Sequence, residues 1–259
     1  MPAYDAAAAA RFIADAHRTR SPYENLPPHL APPTVADAYA AQEALAELWT
    51  PLQGPVAGLK IATTTKVMQA LMGIDHPCGG MIYRNRIHAS GATLTLADHM
   101  HLVLEAELAI RVSRTLPKGP APYTAATIRD AVGEVMPAFE LIEDRHAHYK
   151  STKAYTLIAD NAWNAGIVLG APVVVAASHD LNGLQGRLAI NGTEQRTGMT
   201  DDPLGALAWV ANLAADRGRP LQAGQVVITG SVIPTFPVAT GDRIRFELAG
   251  LGAVDATVR

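Results

Sequence analysis

The spacing of apolar and polar residues along this chain changes near residue 55. Residues 5–18 and the stretch after Thr34 repeat apolar side chains at helical spacing, so they predict two helices. Thr34 followed by Asp37 is typical of a capped helix start, and a Pro-rich connection separates the two helices. Residues 1–54 therefore predict an N-terminal helical cap.

From about residue 55 onward, short apolar runs broken by Gly, Pro and Asn-Gly predict strands, with helices at 65–72, 125–134 and 203–216. The clearest strand signals are 188–190, 226–228, 243–248 and 254–258. Asn191-Gly192 and Gly250-Leu251-Gly252 are typical hairpin turns. Since the helices do not alternate regularly with the strands, residues 55–259 predict an α+β catalytic domain with a mixed, curled, barrel-like sheet.

The composition narrows the function classes. The chain has 259 residues, 49% of them hydrophobic, and a net charge of -3 with no block of Lys or Arg, which argues against nucleic-acid and anionic-membrane partners. No apolar run reaches the ~20 residues of a membrane span, and the N-terminus does not read as a signal peptide. Cys78 is the single cysteine, which excludes an internal disulfide. We expect a cytoplasmic protein that acts on small molecules.

Two glutamates, Glu105 and Glu107, interrupt the apolar run 102–110. Strand side chains alternate between faces, so both carboxylates point to one side and the apolar side chains to the other. Residues two apart on a strand lie roughly 6.5–7 Å apart, and like charges at that spacing in a mostly buried strand repel unless one is protonated or a cation lies between them. The pair therefore predicts a site for a hard divalent cation.

A third acid, Glu140, interrupts the apolar neighbours that follow Pro137. Glu105, Glu107 and Glu140 together form a plausible oxygen-ligand set that leaves positions on Mg²⁺ or Mn²⁺ open to water and substrate. The alternative for each glutamate is an edge-strand charge that faces solvent.

Lys60 lies between apolar residues just before a cluster of threonine hydroxyls. If it is buried it needs an anionic partner, and it can then hold a substrate oxygen or carry a proton; the alternative is a strand-end lysine that reaches solvent. Asp160 precedes Asn161 in a run of small residues, where it can orient a lysine or a water, or simply cap a turn.

His146 and His148 have a spacing that can bind a metal on a strand, but their charged surroundings favour a solvated loop. The sequence contains no serine-hydrolase elbow, no P-loop and no dinucleotide-binding glycine pattern after a strand. Those three readings are therefore excluded.

Six short motifs in order carry a resemblance that extends from about residue 35 to the C-terminus. They are Gly58-Leu59-Lys60-Ile61, Gly73-Ile74-Asp75-His76-Pro77, Glu105-Ala106-Glu107, Pro137-Ala138-Phe139-Glu140, Ala159-Asp160-Asn161-Ala162 and Gly241-Asp242-Arg243-Ile244. This set resembles the fumarylacetoacetate hydrolase superfamily, within it the branch of 2-keto-4-pentenoate hydratases and 4-oxalocrotonate decarboxylases.

The resemblance implies roles for particular residues. Glu105, Glu107 and Glu140 fall on the metal ligands, Lys60 on the active-site lysine and Asp160 in the family's Ala-Asp-Asn-Ala segment. Lys60 and Asp160 are the expected catalytic residues, which move the protons. Candidate substrate-binding residues are Thr64, in the hydroxyl cluster, and Thr229, in a Thr-Gly turn. The implied cofactor is Mg²⁺ or Mn²⁺, the implied fold is the family's with its helical cap, and the implied assembly is a homo-oligomer.

The implied activity is a metal-dependent lyase on small 2-oxo or 2-hydroxydienoic acids, most simply a hydratase of a 2-keto-4-pentenoate-type substrate in the catabolism of aromatic compounds. The chain departs from the branch at Cys78, where hydratases commonly have an acid, and at 61–65 after the lysine. This departure favours decarboxylation or an unusual substrate range. An acylpyruvate hydrolase and a catalytically silent ligand-binding relative remain as further alternatives.

Overall fold

The computed structural model describes residues 4–176 and 178–259. The helices are α1 (Ala6–Arg18), α2 (Val35–Gln53), α3 (Lys66–Met72), α4 (Ala125–Ile128), α5 (Ala154–Ala159) and α6 (Pro203–Asp216). The strands are β1 (Val56–Ala62), β2 (Cys78–Tyr83), β3 (Ile87–Ala89), β4 (Ala92–Leu94), β5 (Leu102–Val112), β6 (Val132–Glu143), β7 (Asn164–Leu169), β8 (Gln185–Ile190), β9 (Thr193–Met199), β10 (Val226–Pro237), β11 (Arg243–Leu248) and β12 (Gly252–Val258).

The strands form two mixed sheets. The larger has seven strands in the order β2-β1-β10-β5-β6-β7-β3, and the smaller has five in the order β4-β12-β11-β8-β9. Pairing is antiparallel except for β1 with β10, β3 with β7 and β4 with β12. The predicted α+β class with mixed sheets is confirmed. Neither sheet forms a closed barrel within the described ranges, so the barrel-like form is not confirmed.

The alternation of β5 separates the hydrophobic core from the polar face that carries the glutamates. Leu104, Leu108 and Ile110 are fully buried in the core that also contains Phe246 of the smaller sheet and Leu207 of α6. Glu105 and Glu107 occupy the intervening positions and therefore face the other side. Burial of large apolar side chains on one face holds the two sheets and α6 together, and it orients both carboxylates toward the opposite face.

The helical cap packs on the far end of the larger sheet. Ile13 of α1 and Leu45 of α2 lie in one buried cluster with Tyr83 of β2. The hydroxyl of Thr34 accepts a hydrogen bond from the backbone N–H of Asp37, which confirms the predicted helix start. The division into a cap of residues 1–54 and a catalytic domain of residues 55–259 stays a prediction.

The predicted helix at 125–134 is too long. Helix α4 ends at Ile128, a 3-10 turn covers Arg129–Ala131, and β6 begins at Val132, which pairs with Val112 of β5. The tertiary pairing with β5 overrides the local helical pattern at this point. The hairpin turns at Asn191-Gly192 and Gly250-Leu251-Gly252 connect β8 to β9 and β11 to β12 as predicted. None of the described helices has the length and hydropathy needed to cross a membrane.

Candidate metal centre

Three glutamates converge on the polar face of the larger sheet. Glu105 of β5 lies directly opposite Glu140 of β6, and Glu107 follows two residues further along β5. One carboxylate oxygen from each residue lies within 4.8 Å of the other two, and no second such group of three His, Cys, Asp or Glu side chains occurs in residues 4–176 and 178–259. The register between β5 and β6 is what brings the third acid to the first two.

The three carboxylates lie in unlike environments. Glu107 and Glu140 are fully buried, whereas Glu105 is half-buried. Burial and then the neighbouring carboxylates of Glu140 and Glu105 raise the pKa of Glu107 well above its ordinary value. Burial also raises the pKa of Glu140, and the Lys60 ammonium opposes that rise. The cluster thus concentrates negative charge where water does not screen it.

Hydrogen bonds hold each carboxylate in place. Ser231 and Thr235 donate one hydroxyl each to the two oxygens of Glu105. The backbone N–H of Gly230 donates to Glu107 Oε2 at 2.8 Å, where the β10 register is irregular and Gly230 has a φ of 106°. A β-bulge of this kind aims a backbone donor away from the strand ladder.

Glu140 accepts two bonds at the same oxygen. Asn164 of β7 donates its amide to Glu140 Oε1 at 2.9 Å, and Lys60 Nζ lies 2.7 Å from that oxygen. Four donors that support the acids cannot be predicted from the sequence, because their partners depend on strand register. They are the backbone N–H of Gly230 and the side chains of Ser231, Thr235 and Asn164.

Two buried oxygens of the cluster have no hydrogen-bond partner in the described structure, Glu107 Oε1 and Glu140 Oε2. Buried acceptors without partners are rare and costly. Oxygen-rich, negatively charged sets of this kind suit a hard divalent cation, which pairs with such atoms and removes the repulsion between the acids. The residues present therefore fit a divalent metal, which Glu105, Glu107 and Glu140 would hold.

Lys60 is buried in the middle of β1 rather than extended to solvent. Burial lowers the pKa of its ammonium, but attraction to Glu140 and Glu105 outweighs burial and raises the pKa overall. The buried form of this lysine, one of the two considered from sequence, is the one the structure shows. Its charge remains beside the acid cluster at neutral pH.

Gly80 of β2 sets the position of the Lys60 side chain. Glycine has no Cβ, and a Cβ atom added here would lie 2.7 Å from the carbonyl oxygen of Asn161 and 3.1 Å from Cγ of Lys60. Any side chain here displaces either the loop that contains Asn161 or the lysine stem.

We expect a Gly80→Ala variant to fold with a loss of stability of about 1–3 kcal/mol, the usual range for overpacking, and to lose activity because Lys60 shifts away from Glu140. Gly119→Ala is the matched control, since a Cβ there meets its nearest atom, the Ala121 carbonyl oxygen, at 3.4 Å. Urea unfolding and steady-state turnover measure the two effects. If Gly80→Ala and Gly119→Ala have equal turnover, Gly80 does not determine the position of Lys60.

Asp160 ends α5 and is 1% exposed. Its two oxygens bind His17 Nε2 at 2.6 Å and Arg145 Nη2 at 2.7 Å. Neither partner belongs to the acid cluster. The side-chain amide of the next residue, Asn161, accepts a hydrogen bond from the backbone N–H of Met81 in β2 and donates one to the Met81 carbonyl. The backbone carbonyl of Asn161 lies next to Gly80.

The two threonines proposed for substrate binding flank the bulge of β10. Thr229 donates its hydroxyl to the Leu108 carbonyl at 2.9 Å and is 5% exposed. Thr64 is exposed, and its side chain lies near the position that a Cβ of Gly230 would occupy. Thr64 therefore offers an exposed side chain beside Gly230, whereas Thr229 fastens β10 to β5.

The remaining candidates are two histidines and the single cysteine, none of which belongs to the acid cluster. His146 and His148 are exposed in the loop after β6, which agrees with the solvated reading, and His146 stacks on His101 at 4.6 Å between ring centroids. Cys78 is buried at the start of β2, and Thr63 donates its hydroxyl to the Cys78 sulfur at 3.4 Å. Burial raises the pKa of the Cys78 thiol, so the side chain is neutral.

Comparison with known proteins places this geometry in a family. The family model described as the fumarylacetoacetate (FAA) hydrolase C-terminal domain matches residues 67–259. The chain is 31% identical over 224 residues to 2-keto-4-pentenoate hydratase 1 of Dechloromonas aromatica (strain RCB), covering 85% of this chain and 84% of that protein. It is 30% identical over 254 residues to 2-keto-4-pentenoate hydratase 2 of the same strain, covering 96% and 95%.

A solved structure of high similarity is 4-oxalocrotonate decarboxylase from Pseudomonas putida G7, complexed with magnesium and adipate. It matches with a TM-score of 0.89 at 26% sequence identity and covers 98% of this chain and 97% of that one. The match extends over the helical cap as well as both sheets.

Proposed function

The chain belongs to the fumarylacetoacetate hydrolase family, and from that premise we propose that it is a divalent-metal-dependent lyase of small 2-oxo acids. The reaction we propose is hydration of a 2-keto-4-pentenoate-type substrate in the catabolism of aromatic compounds, with Mg²⁺ or Mn²⁺ as cofactor. The names of the two hydratases support this reaction, and the magnesium in the decarboxylase complex supports the metal.

One observation carries the proposal. Glu105, Glu107 and Glu140 converge with two unpartnered buried carboxylate oxygens, and an ammonium group lies 2.7 Å from the third acid. A binding protein for a neutral ligand has no need of two buried acids beside a third, half-buried one, since a buried acid is costly without a cation. The combination is suited to stabilising negative charge on a substrate oxygen.

When bound, the divalent cation supplies a fixed positive charge that stabilises negative charge on the substrate's C2 oxygen. Glu107 and Glu140 would contribute the oxygens that hold it, and the hydroxyls of Ser231 and Thr235 fix the Glu105 carboxylate by hydrogen bonds. Because these supports are already in place, little reorganisation accompanies the reaction.

The ammonium of Lys60 is proposed to bind the substrate and to move a proton. It is held by Glu140 and buried away from bulk water, so it can donate a hydrogen bond to the substrate's anionic oxygen and can exchange a proton with the substrate. Thr64, exposed beside the bulge, is proposed to bind the substrate carboxylate, and Thr229 to hold that bulge in place.

In this proposal Asp160 does not contact the substrate and is a positioning residue. Its carboxylate is taken up by His17 and Arg145, so we assign it the positioning of the Asn161 loop that rests against Gly80 and thereby Lys60. A direct proton-transfer role requires that Asp160 give up one of these partners.

Product analysis tests the reaction. We expect the purified protein with Mg²⁺ to convert 2-hydroxypentadienoate to a 4-hydroxy-2-oxo acid, as measured by loss of dienoate absorbance and by mass spectrometry. Parallel incubations contain 2-oxohex-3-enedioate and an acylpyruvate. Release of CO₂ from the dicarboxylate alone, or of pyruvate from the acylpyruvate alone, replaces the hydratase by a decarboxylase or a hydrolase. Absence of turnover on all three favours a ligand-binding relative.

Decarboxylation is the second candidate, and Cys78 favours it. The residue is a buried neutral thiol at the position where the hydratase branch commonly has an acid, so the group expected to assist hydration is replaced. The vinylogous carboxylate then leaves as CO₂, and the electron pair it leaves behind needs the same stabilisation at the C2 oxygen. Assembly as a homo-oligomer stays a prediction.

A further inference from the structure

A separate groove of about 600 Å³ lies between the helical cap and the larger sheet. Its walls are α1, the C-terminal part of α2 and the turns at 84–86 and 96–98. Within the described chain none of the three glutamates of the metal centre lines it. The groove is therefore distinct from the acid cluster, although Asn164 reaches both.

The groove carries more positive than negative charge. Five guanidinium groups line it, those of Arg11, Arg18, Arg20, Arg86 and Arg145. Its lining carboxylates are three, on Asp15, Asp98 and Glu143.

The free cations among these are Arg11 and Arg86. Arg18 pairs with Asp15, and Arg20 donates to two backbone carbonyls. The guanidinium groups of Arg11 and Arg86 make no hydrogen bond or ion pair with any residue in the ranges 4–176 and 178–259. Both are exposed, Arg11 on α1 of the cap and Arg86 in the turn at 84–86 that follows β2.

Arg145 adds a buried donor without an acceptor. Its side chain is 4% exposed, Nη2 donates to Asp160 and Nη1 to the Ser21 carbonyl. The third donor, Nε, has no hydrogen-bond partner in the described residues. Most buried donors in native proteins have partners, so this N–H is available to an acceptor. The backbone of Arg145 is held at a φ of 50°, a strained value for a residue with a side chain.

The opposite wall of the groove is apolar. Leu48 and Leu52 of α2 are 42% and 77% exposed, and Trp49 lies between them on the same helix. Guanidinium groups bind carboxylates and phosphates through paired, charge-assisted hydrogen bonds. From these features we infer that the groove is a second binding site, for a small organic anion that presents carboxylate or phosphate groups to Arg11, Arg86 and Arg145.

Two contacts connect this site to the metal centre. Arg145 binds Asp160, the residue that precedes the Asn161 loop against Gly80 and Lys60. Asn164, which lines the groove, donates its amide to Glu140. An anion on Nε of Arg145 shares the guanidinium that binds Asp160 through Nη2, so we expect its binding to shift the supports of Lys60 and Glu140. Anion binding is therefore coupled to turnover, and this second statement rests on the proposed function.

Calorimetry on the magnesium-loaded protein tests the site with two probes, succinate and inorganic phosphate. We expect saturable binding of at least one probe, and weakening by about tenfold or more in an Arg11→Gln/Arg86→Gln variant, which removes two charged donors. Arg84→Gln is the matched control, because Arg84 is exposed in the same turn as Arg86 but does not line the groove. Binding of one probe alone identifies which acidic group the site prefers.

Steady-state turnover tests whether anion binding in the groove is coupled to the metal centre. The double variant without added anion is expected to match the wild type, whereas the anion changes the KM of the wild type and not that of the variant. No saturable binding of either probe, or equal binding by the double variant, overturns the inference. A change from oligomer to monomer in the double variant without any anion effect assigns the groove to a subunit contact instead and also overturns it. The calorimetric result does not depend on the proposed reaction.

Discussion

A Glu107→Gln variant is expected to bind Mg²⁺ far more weakly than the wild type and to lose turnover by at least about 100-fold, since a bound metal contributes several kcal/mol to charge stabilisation. Gln has the size of Glu but offers a neutral oxygen, and it removes one of the two buried oxygens that have no partner. Calorimetric titration with Mg²⁺ and steady-state turnover measure the two losses.

The same substitution is expected to stabilise the metal-free protein. Because burial and the neighbouring carboxylates raise the pKa of Glu107 in the folded state, folding is favoured while this carboxyl is protonated. Stability is lost as pH rises from the ordinary value near ~4.3 toward the folded pKa. Metal-free Glu107→Gln lacks this loss, so its melting temperature at neutral pH exceeds that of the metal-free wild type.

Glu194→Gln serves as the control, because Glu194 is exposed on β9 and leaves the acid cluster unchanged. It should retain wild-type metal affinity and the wild-type dependence of melting temperature on pH. Unchanged Mg²⁺ affinity in Glu107→Gln excludes Glu107 as a ligand. A metal-free variant less stable than the metal-free wild type contradicts the repulsion argument.

The alternation of β5 could be predicted from sequence because it is local. Leu104, Leu108 and their apolar neighbours repeat every second residue, so the faces of Glu105 and Glu107 follow without knowledge of any other strand. Whether Glu105 lies opposite Glu140 depends instead on the register between β5 and β6, which are separate segments of the chain. A shift of one residue in that register turns every side chain of a strand to the other face of the sheet. Their contact therefore required the structure.

Asp160 illustrates the same limit for a buried charge. Its residue type and neighbours suggested a polar role, but its partner His17 lies 143 positions away in a helix of the cap. No periodicity connects the two. The supports of Glu105 were hidden for a related reason, since Ser231 and Thr235 reach it only because β10 is irregular between Ile228 and Phe236.

A Lys60→Met variant is expected to lose both turnover and stability. It removes the ammonium that lies 2.7 Å from Glu140, which lowers turnover by on the order of 10²–10³-fold. It also leaves the buried Glu140 carboxylate without its cation, which destabilises the metal-free protein by about 3–5 kcal/mol. Lys60 and Glu140 are 4% and 1% exposed, so solvent screens little of this loss. Urea unfolding with and without Mg²⁺ measures it.

Two further variants separate the causes. In Lys60→Met/Glu140→Gln both charges are absent, so the loss of stability is smaller than the sum of the two single losses. Lys66→Met is the matched control, because Lys66 is exposed at the start of α3 and, among the residues that the structure describes, its ammonium binds only Gln69 and the Asp75 carbonyl. Since Mg²⁺ supplies the cation that Glu140 has lost, it should stabilise Lys60→Met more than it stabilises the wild type. Additive single losses, or wild-type turnover in Lys60→Met, show that the ammonium and the carboxylate do not act as a pair.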